Sequence, residues 1–86
     1  MQASYDLLRA ARVALDIPAA DLARRAGISN RSLVRIEACQ PVTLEISLRV
    51  QKALEEAGVT FLPEGDTEGP GIRIPKDAVR KIGFQI

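Results

Sequence analysis

Up to Gly58 the apolar residues recur at helical spacing, and beyond it they alternate. Ser4 caps a first predicted helix that runs to about Leu15, with Asp6 in its first turn, where a carboxylate suits the helix dipole. Leu7, Leu8, Ala11, Ala14 and Leu15 form its inward stripe, and Arg9 and Arg12 are expected to face solvent. Asp16-Ile17-Pro18 interrupts the pattern. Leu22, Ala23 and Ala26 then mark a second helix with Pro18 at its first position, where a missing N–H costs nothing. Gly27 falls where that helix must stop and the chain must turn, at a position suited to positive φ. Ile28 is an apolar plug, Ser29 an N-cap, and Leu33 and Ile36 the inward residues of a third helix. After the loop Cys39-Gln40-Pro41-Val42, Thr43 caps a longer helix to about Ala57, closed by Gly58. Ile46, Val50, Ala53, Leu54 and Ala57 share one face of it, and Glu45, Arg49, Lys52 and Glu56 form a polar stripe with favourable four-residue pairs. Leu44 and Leu48 lie well round from the apolar face. That arc implies either burial on two sides, core and partner, or one small core wrapping the helix.

Past Gly58, Val59-Thr60-Phe61-Leu62 reads as a strand and Ile72-Arg73-Ile74 as a second, ended by Pro75. Between them PEGDTEGPG is turn-rich and acidic. The two strands either pair as a hairpin or pair across a dimer. A lone hairpin is marginal in water and needs a surface to pack on. Lys76 to Lys81 has room for a turn or two of helix, and Ile82, Phe84 and Ile86 put apolar residues at a polar end. The chain thus divides into residues 1–58 and a C-terminal extension, 59–86.

The segment AADLARRAGISNRSLVRIEA, Ala19 to Ala38, is the most informative. Two short helices meet at a glycine, Ala23 is small where crossing helices approach closely, and the outward face of the second helix holds Asn30, Arg31, Val34 and Arg35. This is the helix-turn-helix pattern. From Leu7 to Val59 the chain resembles the Cro/CI-type, or xenobiotic-response-element, family of regulators. The resemblance rests on Ala23 and Gly27, on apolar Leu22, Ile28, Leu33 and Ile36, and on the ending Arg35-Ile36-Glu37. Pro18 and Ala19 depart from it, standing where the family often has Ser or Thr followed by a phosphate-binding Gln.

The resemblance implies a mainly α, four- to five-helix, lambda-repressor-like DNA-binding domain, here with a short C-terminal hairpin or strand extension. It implies that the helix at about 30–37 enters the major groove of a double-stranded operator as part of a homodimer. Asn30, Arg31, Val34 and Arg35 would then touch bases: arginine can bridge guanine O6 and N7, asparagine adenine N6 and N7, and valine can meet a thymine methyl. Ser29, Ser32, Arg24 and Arg25 would serve phosphates. Glu37 is expected to be structural. Arg35 has no obvious structural partner nearby in sequence.

Composition narrows the possibilities. Eighty-six residues allow one small domain, and a chain of that size buries only about 60–65% of its unfolded surface, which favours dimerisation. The chain contains no histidine and one cysteine, Cys39, so no disulfide forms within it and no transition-metal site or nucleophile–base pair is suggested. Cys39 is expected to be a partly buried small side chain. No cofactor and no enzymatic activity are implied. No signal segment or membrane-length apolar run is read from the sequence, so a soluble, cytoplasmic protein is expected. Net charge is only +1, yet Arg24, Arg25, Arg31 and Arg35 fall in a stretch without an acid. A local basic face on a neutral protein suits site-specific DNA binding, and equally an acidic protein partner. The alternative is therefore an antitoxin-like or antiactivator-like interaction module that sequesters a protein through the helix-turn-helix or through residues 59–86.

Overall fold

All four helices among the described residues end in the same way, and this sets the geometry of the fold. The computed structural model describes residues 2–78. Helices α1 (Tyr5–Ala14), α2 (Ala19–Ala26), α3 (Asn30–Glu37) and α4 (Leu44–Glu56) are followed by β1 (Thr60–Leu62), β2 (Gly71–Arg73) and a 3-10 turn, Lys76–Ala78. Ser4, Ser29 and Thr43 cap α1, α3 and α4, each side chain accepting from the amide three residues on. Pro18 stands one residue ahead of the expected position, as the N-cap of α2 without a side-chain bond.

Each C-terminus closes with one residue in the left-handed region: Asp16, Gly27, Cys39 and Gly58, with φ of 58°, 69°, 57° and 104°. In each case the following amide bonds back to the carbonyl five residues earlier, for example Ile28 N to Ala23 O at 3.0 Å and Gln40 N to Arg35 O at 2.8 Å. This is the Schellman closure, in which glycine is the usual left-handed residue. At Gly58 a second constraint applies, since a Cβ there would run into the ring of Pro75.

The helices pack around Leu8, Leu22, Leu33, Ile36, Val50 and Leu54, the largest fully buried side chains. Each such aliphatic is worth about 1.5–3 kcal/mol relative to exposure. Ala23, 1% exposed, permits the close approach of the helices in the α2–α3 motif. The inward side of α4 extends further than the apolar spacing implies, because Ser47 and Gln51 are buried on it. Gln51 Oε1 accepts from Ala3 N at 2.8 Å and fastens the segment before α1 to the core. Ser47 returns its hydroxyl to Leu44 O at 2.9 Å. Burial without a partner would be costly for either residue.

The extension belongs to the same core. β1 and β2 pair antiparallel within the chain, with Phe61 opposite Ile72, so among the described residues the strands form a hairpin rather than an inter-chain sheet. Val59 and Phe61 are buried in the helical core and Ile72 packs against it, supplying the surface that an isolated hairpin lacks. The fold is mainly helical with a small C-terminal hairpin. The expected continuation of the last helix to Lys81, and the apolar Ile82, Phe84 and Ile86, lie outside the described residues. Among the described residues no helix is long and apolar enough to cross a membrane.

Arg12 does not face solvent as its place in the sequence suggests. It lies one turn after buried Leu8 and beside Ala11, and its guanidinium forms a fork with Glu37 of α3: Nε to Oε2 at 2.6 Å and Nη2 to Oε1 at 2.9 Å. Its remaining terminal nitrogen donates to Ile17 O at 2.9 Å. Both side chains are less than one-fifth exposed. The hydrogen bonds to Glu37 push the Arg12 pKa up, outweighing the opposing effect of burial, so the guanidinium is held charged. Glu37 is thus structural, as expected: it ties the end of α3 to α1 and to the α1–α2 turn.

Candidate nucleic-acid interface

The outward side of α3 is built by exclusion. Leu33 and Ile36, three apart, are 2% and 0% exposed and anchor the helix on the core. The Schellman turn at Gly27 and the Ser29 cap start the helix at a fixed angle, and the Arg12–Glu37 fork holds its other end. What remains, at spacings of one and four residues, is Asn30, Arg31, Val34 and Arg35, all exposed. The structure thus brings the four expected base-reading residues onto one helical face. Val34, at 64% exposure, is an apolar side chain in the middle of it.

The four are not equally uncommitted. Asn30 and Arg31 make no side-chain hydrogen bond or ion pair with another described residue. Arg35 does have a partner, contrary to expectation. Its Nε and Nη2 donate to Pro41 O at 3.2 and 2.9 Å, folding the guanidinium over the loop before α4. The Schellman turn at Cys39 brings this carbonyl within reach. Arg35 remains exposed, so reading a base from this position requires it to leave a backbone acceptor.

The expected phosphate-binding residues separate. The Ser29 hydroxyl accepts from Ser32 N and donates to Ser32 Oγ, both at 3.1 Å, so it is spent within the cap while the Ser32 hydroxyl can still donate outward. Arg24 is exposed but ion-paired with Asp21 one turn earlier. Arg25 borders a shallow cleft with Ala53, Glu56 and Ala57, toward the C-terminal half of α4, and stands apart from the others.

Two further residues belong to this surface. Arg49, on the polar stripe of α4, reaches the motif turn: its Nη1 lies 3.5 Å from Gly27 O, and its Nη2 bonds Glu45 Oε1 at 3.0 Å. It lines a notch of about 260 Å³ with Ser29 and Ser32. Nothing in its local spacing signals this placement, which follows from how α4 crosses the turn. Tyr5, half-buried on α1, accepts from Val42 N at 3.2 Å and steadies the loop that carries Pro41.

Cys39 is exposed rather than partly buried, because its backbone takes the left-handed turn and swings the side chain outward. Its Sγ lies 3.4 Å from Asp6 Oδ1. That hydrogen bond pushes the thiol pKa up, with nearby Arg9 pulling the other way. The thiol is therefore a poor nucleophile at neutral pH.

No protein-family model and no curated protein matches the chain.

Proposed function

We propose that this protein is a sequence-specific double-stranded DNA-binding transcriptional regulator, most simply a dimeric cytoplasmic repressor, that reads the major groove with α3. The observation that carries this is the outward face of α3: a short helix held rigidly at both ends, with Asn30 and Arg31 free of described partners and Val34 exposed between them and Arg35. A helix presented in this way fits the major groove, where its N-terminal residues meet base edges. Ser32 and Arg24 serve the adjacent phosphates, and Arg49 adds positive charge beside the motif turn. The role is one of binding, without catalysis or a cofactor.

A second reading has one specific observation behind it. Arg35 and Arg24 are already engaged within the chain, so fewer cations are available for DNA than the sequence suggests. On this reading α3 or the C-terminal hairpin docks a protein, in the manner of an antitoxin or antiactivator.

The deciding experiment is electrophoretic mobility shift and footprinting on DNA upstream of the protein's own gene, with excess competitor DNA. A protected site that survives competition and is lost in Arg31→Ala supports the first reading. Binding that competitor abolishes, or that Arg31→Ala leaves unchanged, rejects it.

A further inference from the structure

We infer that the outer strip of α4 is a two-fold interface with a second copy of this chain, in which two α4 helices pack antiparallel across Leu48. Leu44 and Leu48 are 55% and 40% exposed, and with Lys52 they lie four residues apart along one line of the helix. They form the floor of a shallow groove of about 420 Å³ edged by Glu45 and Arg49.

The charges on the strip identify the occupant. Glu45 lies at its N-terminal end and Lys52 at its C-terminal end, with Leu48 between them. A two-fold axis through Leu48, perpendicular to the helix, sets Glu45 of each copy beside Lys52 of the other and lays each Leu44 along the opposite lysine stem. The same operation carries Glu55 and Glu56 just past the N-terminal turn of the opposing α4, opposite the loop that precedes it. Glu45 can take the second pairing, because Arg49 engages only its Oε1 and leaves Oε2 to accept. Lys52 makes no ion pair with another described residue. Two leucines and their flanking stems make a small contact, so the dimer is weak and strengthens when both copies are held on one DNA duplex.

This deepens the reading of a two-fold regulator, but the test contains no DNA, so its failure is distinct from a failure of operator binding. Sedimentation of the full chain is followed from low micromolar to near-millimolar concentration. The expected result is a mass rising toward twice the monomer, whereas Leu48→Glu stays monomeric throughout with an unchanged circular dichroism melt. Glu45→Lys and Lys52→Glu are each expected to be monomeric alone and to dimerise when mixed, since only the mixture restores opposite charges at both contacts. A wild-type chain that stays monomeric, a Leu48→Glu chain that dimerises like wild type, or charge variants that associate no better mixed than alone would each overturn the interface.

Discussion

At the scale of single residues, the two arginines of α3 are inequivalent, although their sequence positions suggest equal roles. Arg31 has no described partner and Arg35 is folded onto Pro41 O. Arg31→Ala is therefore expected to cost specific binding about 1–3 kcal/mol, the worth of a bidentate base contact, with no loss of thermal stability. Arg35→Ala should lower both affinity and the melting temperature, because it also releases the loop before α4. Parallel titrations of specific and competitor DNA, with melting curves for each variant, separate the two effects. Cys39 offers a second test. Asp6 holds its thiol pKa above the ordinary value, so the alkylation rate should climb with pH later than for an unperturbed thiol. Asp6→Asn should move that profile to lower pH and speed alkylation at neutral pH, as a rate series with iodoacetamide would show. The backbone at Cys39 was not legible from sequence: glycine announces a left-handed turn at positions 27 and 58, whereas cysteine announces nothing.

At the scale of elements, the helices were legible because apolar spacing marks each of them, side-chain caps begin α1, α3 and α4, and glycine stops follow α2 and α4. The orientation of α3 was not, because it depends on a fork between Arg12 and Glu37, which are 25 residues apart. One signal was available: Arg12 lies four residues after Leu8, on the buried side. Removing Glu37 leaves a guanidinium less than one-fifth exposed without its carboxylate. Glu37→Ala should accordingly destabilise the fold by about 1–3 kcal/mol and weaken DNA binding together, as chemical denaturation and mobility shift on one preparation would show. The hairpin gives a contrasting lesson. Its strands could be read from alternation, but their partner could not, since the same pattern serves an intra-chain or an inter-chain sheet. With Phe61 buried and Ile72 packed over the core, deleting residues 63–86 should destabilise the helical body itself. A sharp fall in melting temperature is expected, rather than a neutral loss of an appendage.

At the scale of the whole molecule, a net charge of +1 conceals an uneven surface. Arg24, Arg31, Arg35 and Arg49 cluster around the motif, while the acidic loop of residues 63–70 lies at the tip of the hairpin. Binding should therefore depend on salt only moderately, with few phosphates neutralised per copy. Arg25, turned toward the C-terminal half of α4, should contribute nothing to that dependence. Arg25→Ala is expected to leave the slope of log affinity against log salt unchanged, whereas Arg24→Ala lowers it by about one. A two-fold protein should protect two half-sites about one helical turn apart, and a single unpaired half-site in the footprint would contradict the dimer.

The contact between Gly58 and Pro75 also sets how much change each turn can absorb. Gly27 and Gly58 share the left-handed backbone, but an added Cβ at Gly27 would meet only the flexible tip of Arg49, whereas at Gly58 it would strike a proline ring. In a saturation-mutagenesis library selected for folding, position 27 should retain asparagine and a few other small polar residues. Position 58 should retain glycine alone, even where Pro75 is changed, because a φ of 104° strains any side chain whatever the space around it. The constraint at position 58 then has two sources, the backbone at the end of a helix and the ring of a residue 17 positions downstream.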